Sequence, residues 1–434
     1  MIVFASGDFG FNLYWQSAML YLLFYYTEVA HLSVTTAALI YLVASVWDGL
    51  INFFIGVIID RWRETAALRR AMMWGAVPLG LSFVMTYIAW PARGYWGSAL
   101  FLTAHILFRT AYAWGNIPYL VLSARFSNQS RDRTVLSGSR IVAGTLAAVL
   151  VSRETIPIGS WFANQNAMGG YVSAAVVYAV LATVLIVVVG ITFRSNASSV
   201  PAAAPADMTL ASLRAAFSNR AFVILIGAMM TMTIATTIIN KSVLYYFKYE
   251  FSNQIAGQNT LGWMMAVGAL GAVIWTFVGQ RIGIRRMWCT ASFLCATLIG
   301  VIGLVGVHNL LATQLLLITL QAMVTGLNLG LWAMLPDTIE YGLLTTGFRV
   351  EAILYGLNAL FQRIAIGLAT VILGFSLKHI GFATNAHLPL VTLQGMQQVF
   401  SLIPMLFFLA SGTVILFSPL RRGTHDVVLH DLGD

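Results

Sequence analysis

The chain is 434 residues long, with 59% apolar residues, only 9% charged residues and a formal net charge of +9. A soluble domain carries about 25% charged residues, so a water-facing surface is excluded and lipid must solvate most of this one. The positive balance does not point to nucleic acid, because the basic residues are spread over short interhelical segments and form no single patch.

Apolar runs broken by polar turns predict twelve spans, at 5–27, 34–59, 71–91, 97–124, 134–152, 169–193, 220–246, 260–280, 287–307, 310–341, 351–377 and 392–418. Each approaches or exceeds the roughly 20 residues that cross a bilayer. They are expected to be α-helices, since unpaired backbone groups are too costly in hydrocarbon, and continuous rather than alternating runs exclude a β-barrel.

The first span holds Asp8 and Asn12 and has no basic leader, so it is expected to be retained rather than cleaved as a signal. Asp8, Asn12, Trp15 and Gln16 share one helical face. The second span places Asp48 and Asn52 at i and i+4. A carboxylate beside an amide can bind sodium through oxygens or carry a proton; alternatively Asp48 pairs with an arginine from another helix. The fourth span carries a stripe of Arg109, Tyr112, Asn116 and Tyr119, with Pro118 available to kink the helix. Arg109 lines a cavity or pairs with a carboxylate such as Asp48.

Arg140 lies roughly two turns inside the fifth span, facing a cavity or snorkelling to the surface. Thr231, Thr233, Thr236, Thr237, Asn240 and Lys241 line the seventh, where hydroxyls commonly bind helix to helix. Cys289 and Cys295, six residues apart, face different sides and are expected to be buried apolar groups, not a bridge. The tenth span carries Asn328 and Trp332, followed by Pro336, Asp337 and Glu340; Trp332 either packs or stacks on a sugar ring. The eleventh carries Tyr355, Asn358, Gln362 and Arg363.

A charge at the bilayer centre costs about 2.5–3.5 kcal/mol on lenient scales, so each deep charge needs water or a partner. The deep cations Arg109, Arg140 and Arg363 outnumber the deep anions Asp8 and Asp48. If they share one cavity, its spare positive charge suits a carboxylate, phosphate or sulfonate.

Arginines cluster in alternate loops, including Arg61, Arg63, Arg69, Arg70, Arg125, Arg131, Arg133, Arg281, Arg285 and Arg286, while the opposite loops hold Arg93, Arg153, Lys248 and Lys378. That asymmetry puts both termini in the cytoplasm. The Ser/Ala/Pro-rich segment 194–219 reads as a linker, with a short amphipathic helix after Asp207. The expected organisation is a six-helix bundle at 1–193, the linker, a second bundle at 220–418 and a tail at 419–434. Gly56 with Arg69–Arg70, and Gly279 with Arg285–Arg286, recur at matched places in the two halves. Two parallel six-helix halves are the pattern of the major facilitator fold. No Cys/His cluster has metal-ligand spacing, and neither metal nor cofactor is expected.

The sequence resembles the glycoside–pentoside–hexuronide:cation symporters, the family of the melibiose permease. The resemblance is carried by Gly7-Asp8-Phe9, by 23–28, by Trp47-Asp48, by Asn116-Ile117-Pro118-Tyr119 and the arginine-rich stretch to Arg140, and by 336–342 and 349–355. It implies that Asp8 and Arg140 hold sugar hydroxyls and that Asp48 belongs to a cation site. Arg363 stands where the melibiose permease has a lysine. Three departures matter: Asn52 and Asn116 replace acids, and Leu120 replaces an aromatic residue. Losing two acids weakens a sodium site, and losing one while gaining Arg109 tilts the site towards anionic sugars.

The expected protein is therefore a monomeric, multi-pass symporter of a bacterial inner membrane. It would import a hexuronide or sulfosugar with H+ rather than Na+, by rocking 1–193 against 220–418 about a midplane site. Asp8, Asn12, Arg109, Tyr112, Asn116, Arg140, Trp332, Tyr355, Gln362 and Arg363 would bind solute; Asp48 and Asn52 would couple the cation. The rival readings are a neutral glycoside or pentoside:Na+ symporter, a lipid-handling facilitator of the same fold, and a non-transporting sensor. A membrane-embedded enzyme is disfavoured, because no nucleophile–base pair or metal cluster is evident.

Overall fold

The computed structural model of the chain describes residues 1–60, 62, 64–90, 94–126, 130–162, 167–193, 210–306, 308–346, 351–384 and 388–420. Their regular structure is helical throughout. Helix α1 (Ile2–Leu20) continues through a short turn, α2 (Leu22–Phe24), into a π-helical segment, Tyr25–Val29. There follow α3 (Val34–Asp60), α4 (Thr65–Thr86), α5 (Tyr95–Ala124), α6 (Ser130–Phe162) and α7 (Ala167–Thr192). The short α8 (Leu210–Ser218) precedes α9 (Arg220–Tyr249), α10 (Gln254–Ile282), α11 (Ile284–Val301), α12 (Leu310–Thr346), α13 (Glu351–His379) and α14 (Leu390–Leu416).

A helix overlaps every predicted span. Among the described residues, nine are long and apolar enough to cross a membrane. The apolar character of α1, α4 and α5 is diluted by Asp8, Asn12 and Gln16, by Arg69 and Arg70, and by His105, Arg109 and Asn116. Helix α6 runs ten residues past the predicted end at 152. Arg153 and Glu154 end the apolar run, but they do not end the backbone hydrogen-bond ladder, which continues past Pro157. The segment after Asp207 contains α8, which buries Ala215 and Ala216 and sets Phe217 against Phe361. Cys289 and Cys295 are both free thiols. Residues 194–209 of the expected linker, 421–434 of the expected tail, and Arg349 in the second-half motif lie outside the described residues.

The chain forms two compact units. The first comprises Met1–Pro205, Gln254–Gly262 and Ala383–His387; the second comprises Ala206–Asn253, Trp263–Phe382 and Leu388–Asp434. The first is held by buried tyrosines whose hydroxyls reach across helices. Tyr14 donates to Ala179 O at 3.1 Å, Tyr25 to Tyr87 O at 2.6 Å, and Tyr41 to Ala18 O at 3.1 Å. Tyrosine suits this work because its ring packs like a hydrocarbon while its hydroxyl satisfies a backbone acceptor that lipid cannot. Gly159 and Gly170 let α6 and α7 touch backbone to backbone: a Cβ on Gly159 would lie 2.6 Å from Gly170 O.

In the second unit, Asn219 caps α9 by accepting from Phe222 N at 3.1 Å and donates to Thr338 O at 2.7 Å. Trp288 donates to Ser411 Oγ at 3.0 Å, and Ser411 donates to Ala228 O at 2.9 Å, tying α11, α14 and α9 together. The π-helical segment Ile302–Gly306 offers Ile302 O to Gln397 Nε2 at 2.7 Å.

Candidate functional site

Two ion pairs lie within the first unit, each joining residues far apart in sequence. The first links α1 to α6. Arg140 grips Asp8 with its fork: Nε donates to Oδ2, and Nη2 donates to Oδ1 at 3.3 Å. Its Nη1 donates to Ser123 Oγ at 2.9 Å, and its guanidinium lies 5.3 Å from the Tyr119 ring centre. Tyr119 donates to Asp8 Oδ2 at 2.7 Å and lies 2.8 Å from Phe4 O. Gly7 makes this approach possible, since a Cβ there would lie 2.5 Å from Tyr119 Cε2. Both charged side chains stay part-exposed, Arg140 at 21% and Asp8 at 15%. A polar ligand can therefore meet a carboxylate acceptor and guanidinium donors together.

The second pair is sealed. Arg109 Nη1 of α5 lies 3.5 Å from Asp48 Oδ2 of α3, with both side chains 1% exposed. Asn52 Nδ2 donates to Asp48 Oδ1 at 2.9 Å and to its backbone oxygen at 2.6 Å, as the i, i+4 spacing predicts. Arg109 Nε donates to His105 Nε2 at 3.3 Å, and Nη2 donates to Tyr41 Oη at 3.4 Å. The guanidinium also faces the rings of Trp15 at 5.0 Å, Phe108 at 5.7 Å and Tyr41 at 5.8 Å. Of the two roles the sequence allowed Arg109, the pairing with Asp48 is the one this structure displays.

One face of α1 joins the pairs. Asn12 donates to Asp8 O at 2.9 Å, and Gln16 donates to Asn12 Oδ1 at 3.4 Å. Trp15 lies beside both Arg109 and the Tyr112 ring, which is 5.8 Å away. Gly144 of α6 makes room for Asn12, since a Cβ there would lie 3.0 Å from Asn12 Nδ2. Tyr112 is buried against Phe11 and Phe108, and Asn116 is half-buried on the same stripe. The other predicted residues belong to the second unit. Trp332 of α12 is 57% exposed and Tyr355 of α13 is 37% exposed. Gln362 and Arg363 are half-buried. Between Tyr355 and Gln362, Asn358 is buried, and its Oδ1 has no hydrogen-bond partner among the described residues.

The MFS/sugar transport protein profile matches residues 3–422. The chain belongs to the MFS/sugar transport protein family. It is 25% identical to the isoprimeverose transporter of Lactiplantibacillus pentosus over 430 residues, which is 95% of this chain and 87% of that one. It is 24% identical to the glucuronide carrier protein homolog of Escherichia coli K12 over 440 residues, 97% of this chain and 92% of that one. A solved structure of a bacterial homologue of the human drug peptide transporters PepT1 and PepT2 superposes with a TM-score of 0.70 at 13% identity, covering 99% of this chain and 98% of that one. That likeness shows the major facilitator fold. This member of the MFS/sugar transport family is a multi-pass membrane transporter of sugars and not an enzyme, and its bacterial relatives fit a bacterial inner membrane.

In this MFS sugar transporter, four hydrogen-bonding contributors escaped the sequence reading as site residues: Tyr41, His105, Tyr119 and Ser123. Tyr41 lies on α3, and the other three lie on the α5 stripe. His105 is one turn before Arg109, Tyr119 is three residues after Asn116, and Ser123 is one turn beyond Tyr119. Extending the period of the stripe by a turn at each end finds the outer two. The charge balance also changes. Asp8 and Asp48 neutralise Arg140 and Arg109, so the excess positive charge read from the sequence is not concentrated on those two arginines.

Proposed function

We propose that this sugar transporter is a secondary active symporter, functioning as a monomer, that imports a sugar or glycoside with a coupling cation by alternating access. The observation that carries the reading is the contrast between the two carboxylates. Asp8 is part-exposed and shared by Arg140 and Tyr119, as a hydroxyl-binding carboxylate needs. Asp48 is fully sealed, as a coupling carboxylate needs if its ion is to be felt by the helices around it. A proton is the favoured coupling ion, because one carboxylate flanked by an amide is a poor sodium site.

The favoured solute is an anionic sugar, a hexuronide or a sulfosugar. Arg363 of α13 is a half-buried guanidinium whose fork suits a carboxylate or sulfonate, and a relative carries the name glucuronide carrier protein homolog. The charge balance of the two ion pairs of the first unit, together with the relative named isoprimeverose transporter, favours a second reading in which the solute is a neutral glycoside. A proteoliposome flux screen separates them: neutral glycosides, uronides and sulfosugars are each tested with pH and sodium gradients imposed separately. Uphill uptake of a uronide or sulfosugar driven by a proton gradient is expected. Uptake restricted to neutral glycosides, or driven by sodium alone, would overturn the favoured reading.

A further inference from the structure

We propose that Arg109 is a built-in counter-ion that keeps Na+ away from Asp48, leaving the proton as the ion this carboxylate takes up. The inference rests on the reading of Asp48 as the coupling carboxylate and names its ion.

A hard metal cation needs several oxygen ligands arranged around it. At Asp48 the side chains facing the carboxylate are a cation and an amide donor. Oδ2 faces the Arg109 guanidinium at 3.5 Å, and Oδ1 accepts the amide nitrogen of Asn52 at 2.9 Å. The positive and N–H-bearing groups turned towards the carboxylate repel a metal ion instead of ligating it.

Arg109 is also clamped independently of Asp48. His105 accepts from Nε and Tyr41 from Nη2, and the rings of Trp15, Tyr41 and Phe108 surround the guanidinium. By accepting at Nε2, His105 is a neutral imidazole there. The groups converging on the pair are thus Asp48, Asn52 and Tyr41 from α3, Arg109 and His105 from α5, and Trp15 from α1, with Tyr26 of the π-helical segment edge-on to His105. A sodium ion would have to drive Arg109 out of this clamp, in a site sealed from water. A proton needs no ligand shell. It neutralises Asp48 while His105, Tyr41 and the aromatic faces continue to hold the guanidinium.

The test uses the purified full-length protein without sugar, exchanging K+ for Na+ at constant ionic strength and reading melting temperature and tryptophan fluorescence. The wild type is expected to show no saturable Na+ response. Arg109→Ala is expected to gain a saturable Na+-dependent rise in melting temperature. The double variant Arg109→Ala/Asp48→Asn is expected to lose that gain, which places the ion on Asp48. A saturable Na+ response in the wild type that Asp48→Asn removes would overturn the proposal, and so would a folded Arg109→Ala protein without any Na+ response. If Arg109→Ala does not fold, the wild-type measurement decides alone. Because sugar uptake is not read, failure here leaves the sugar symport reading standing; failure of uptake with Na+ indifference intact would do the reverse.

Discussion

The Tyr119 hydroxyl reaches Asp8 Oδ2, at 2.7 Å, because its ring lies where a side chain on Gly7 would stand. One small residue on α1 thus sets the position of a donor on α5 against a carboxylate of its own neighbour in sequence. The Gly7-Asp8 pair works as a unit: the first residue opens the space and the second supplies the charge.

Tyr119→Phe keeps the ring and deletes the donor. A hydrogen bond to a charged group is worth ~1.5 kcal/mol at the low end suited to a part-exposed site. The expected result is about a tenfold rise in the uptake KM, with little change in melting temperature. Gly7→Ala displaces the ring itself, so its uptake defect is expected to equal or exceed that of Tyr119→Phe. Uptake kinetics and thermal denaturation of both variants check this.

Arg140→Lys preserves the charge but not the fork. An ammonium is a point charge and cannot span both Asp8 oxygens and Ser123 at once. Uptake is expected to fall by more than tenfold in kcat/KM while the protein stays folded, which radiolabelled uptake at graded solute concentrations measures.

Two substitutions at Asp48 are expected to act differently. Asp48→Asn retains an oxygen acceptor for Arg109, so it is expected to abolish uphill accumulation while sparing exchange and binding. Asp48→Leu leaves the buried Arg109 charge uncompensated. Removing one partner of a buried pair costs about 3–5 kcal/mol, so this variant should denature at markedly lower temperature or denaturant concentration. Surviving accumulation in Asp48→Asn would end the coupling assignment.

Trp332 is 57% exposed, so its removal forfeits little packing. Trp332→Ala is expected to change stability by no more than about 0.5 kcal/mol, as surface substitutions do. If the indole stacks on a sugar ring, uptake KM rises in Trp332→Ala and recovers in Trp332→Tyr. Unchanged uptake in Trp332→Ala would remove the residue from the site.

Much of this protein is determined by sequence alone. Apolar runs near 20 residues leave a backbone in lipid no alternative to the helix, so the helices and the polar stripes on them follow from local pattern. The Asp48–Asn52 and Asp8–Asn12 contacts are likewise legible, because i, i+4 neighbours meet in any helix. Which arginine meets which acid is decided only by tertiary structure. Arg140 and Asp8 are 132 residues apart, and Arg109 and Asp48 are 61 apart, on helices whose mutual rotation no single-helix period specifies. That rotation is set by packing, by Gly7 and Gly144 opening space for Tyr119 and Asn12. It leaves one carboxylate within reach of a ligand and seals the other against a guanidinium.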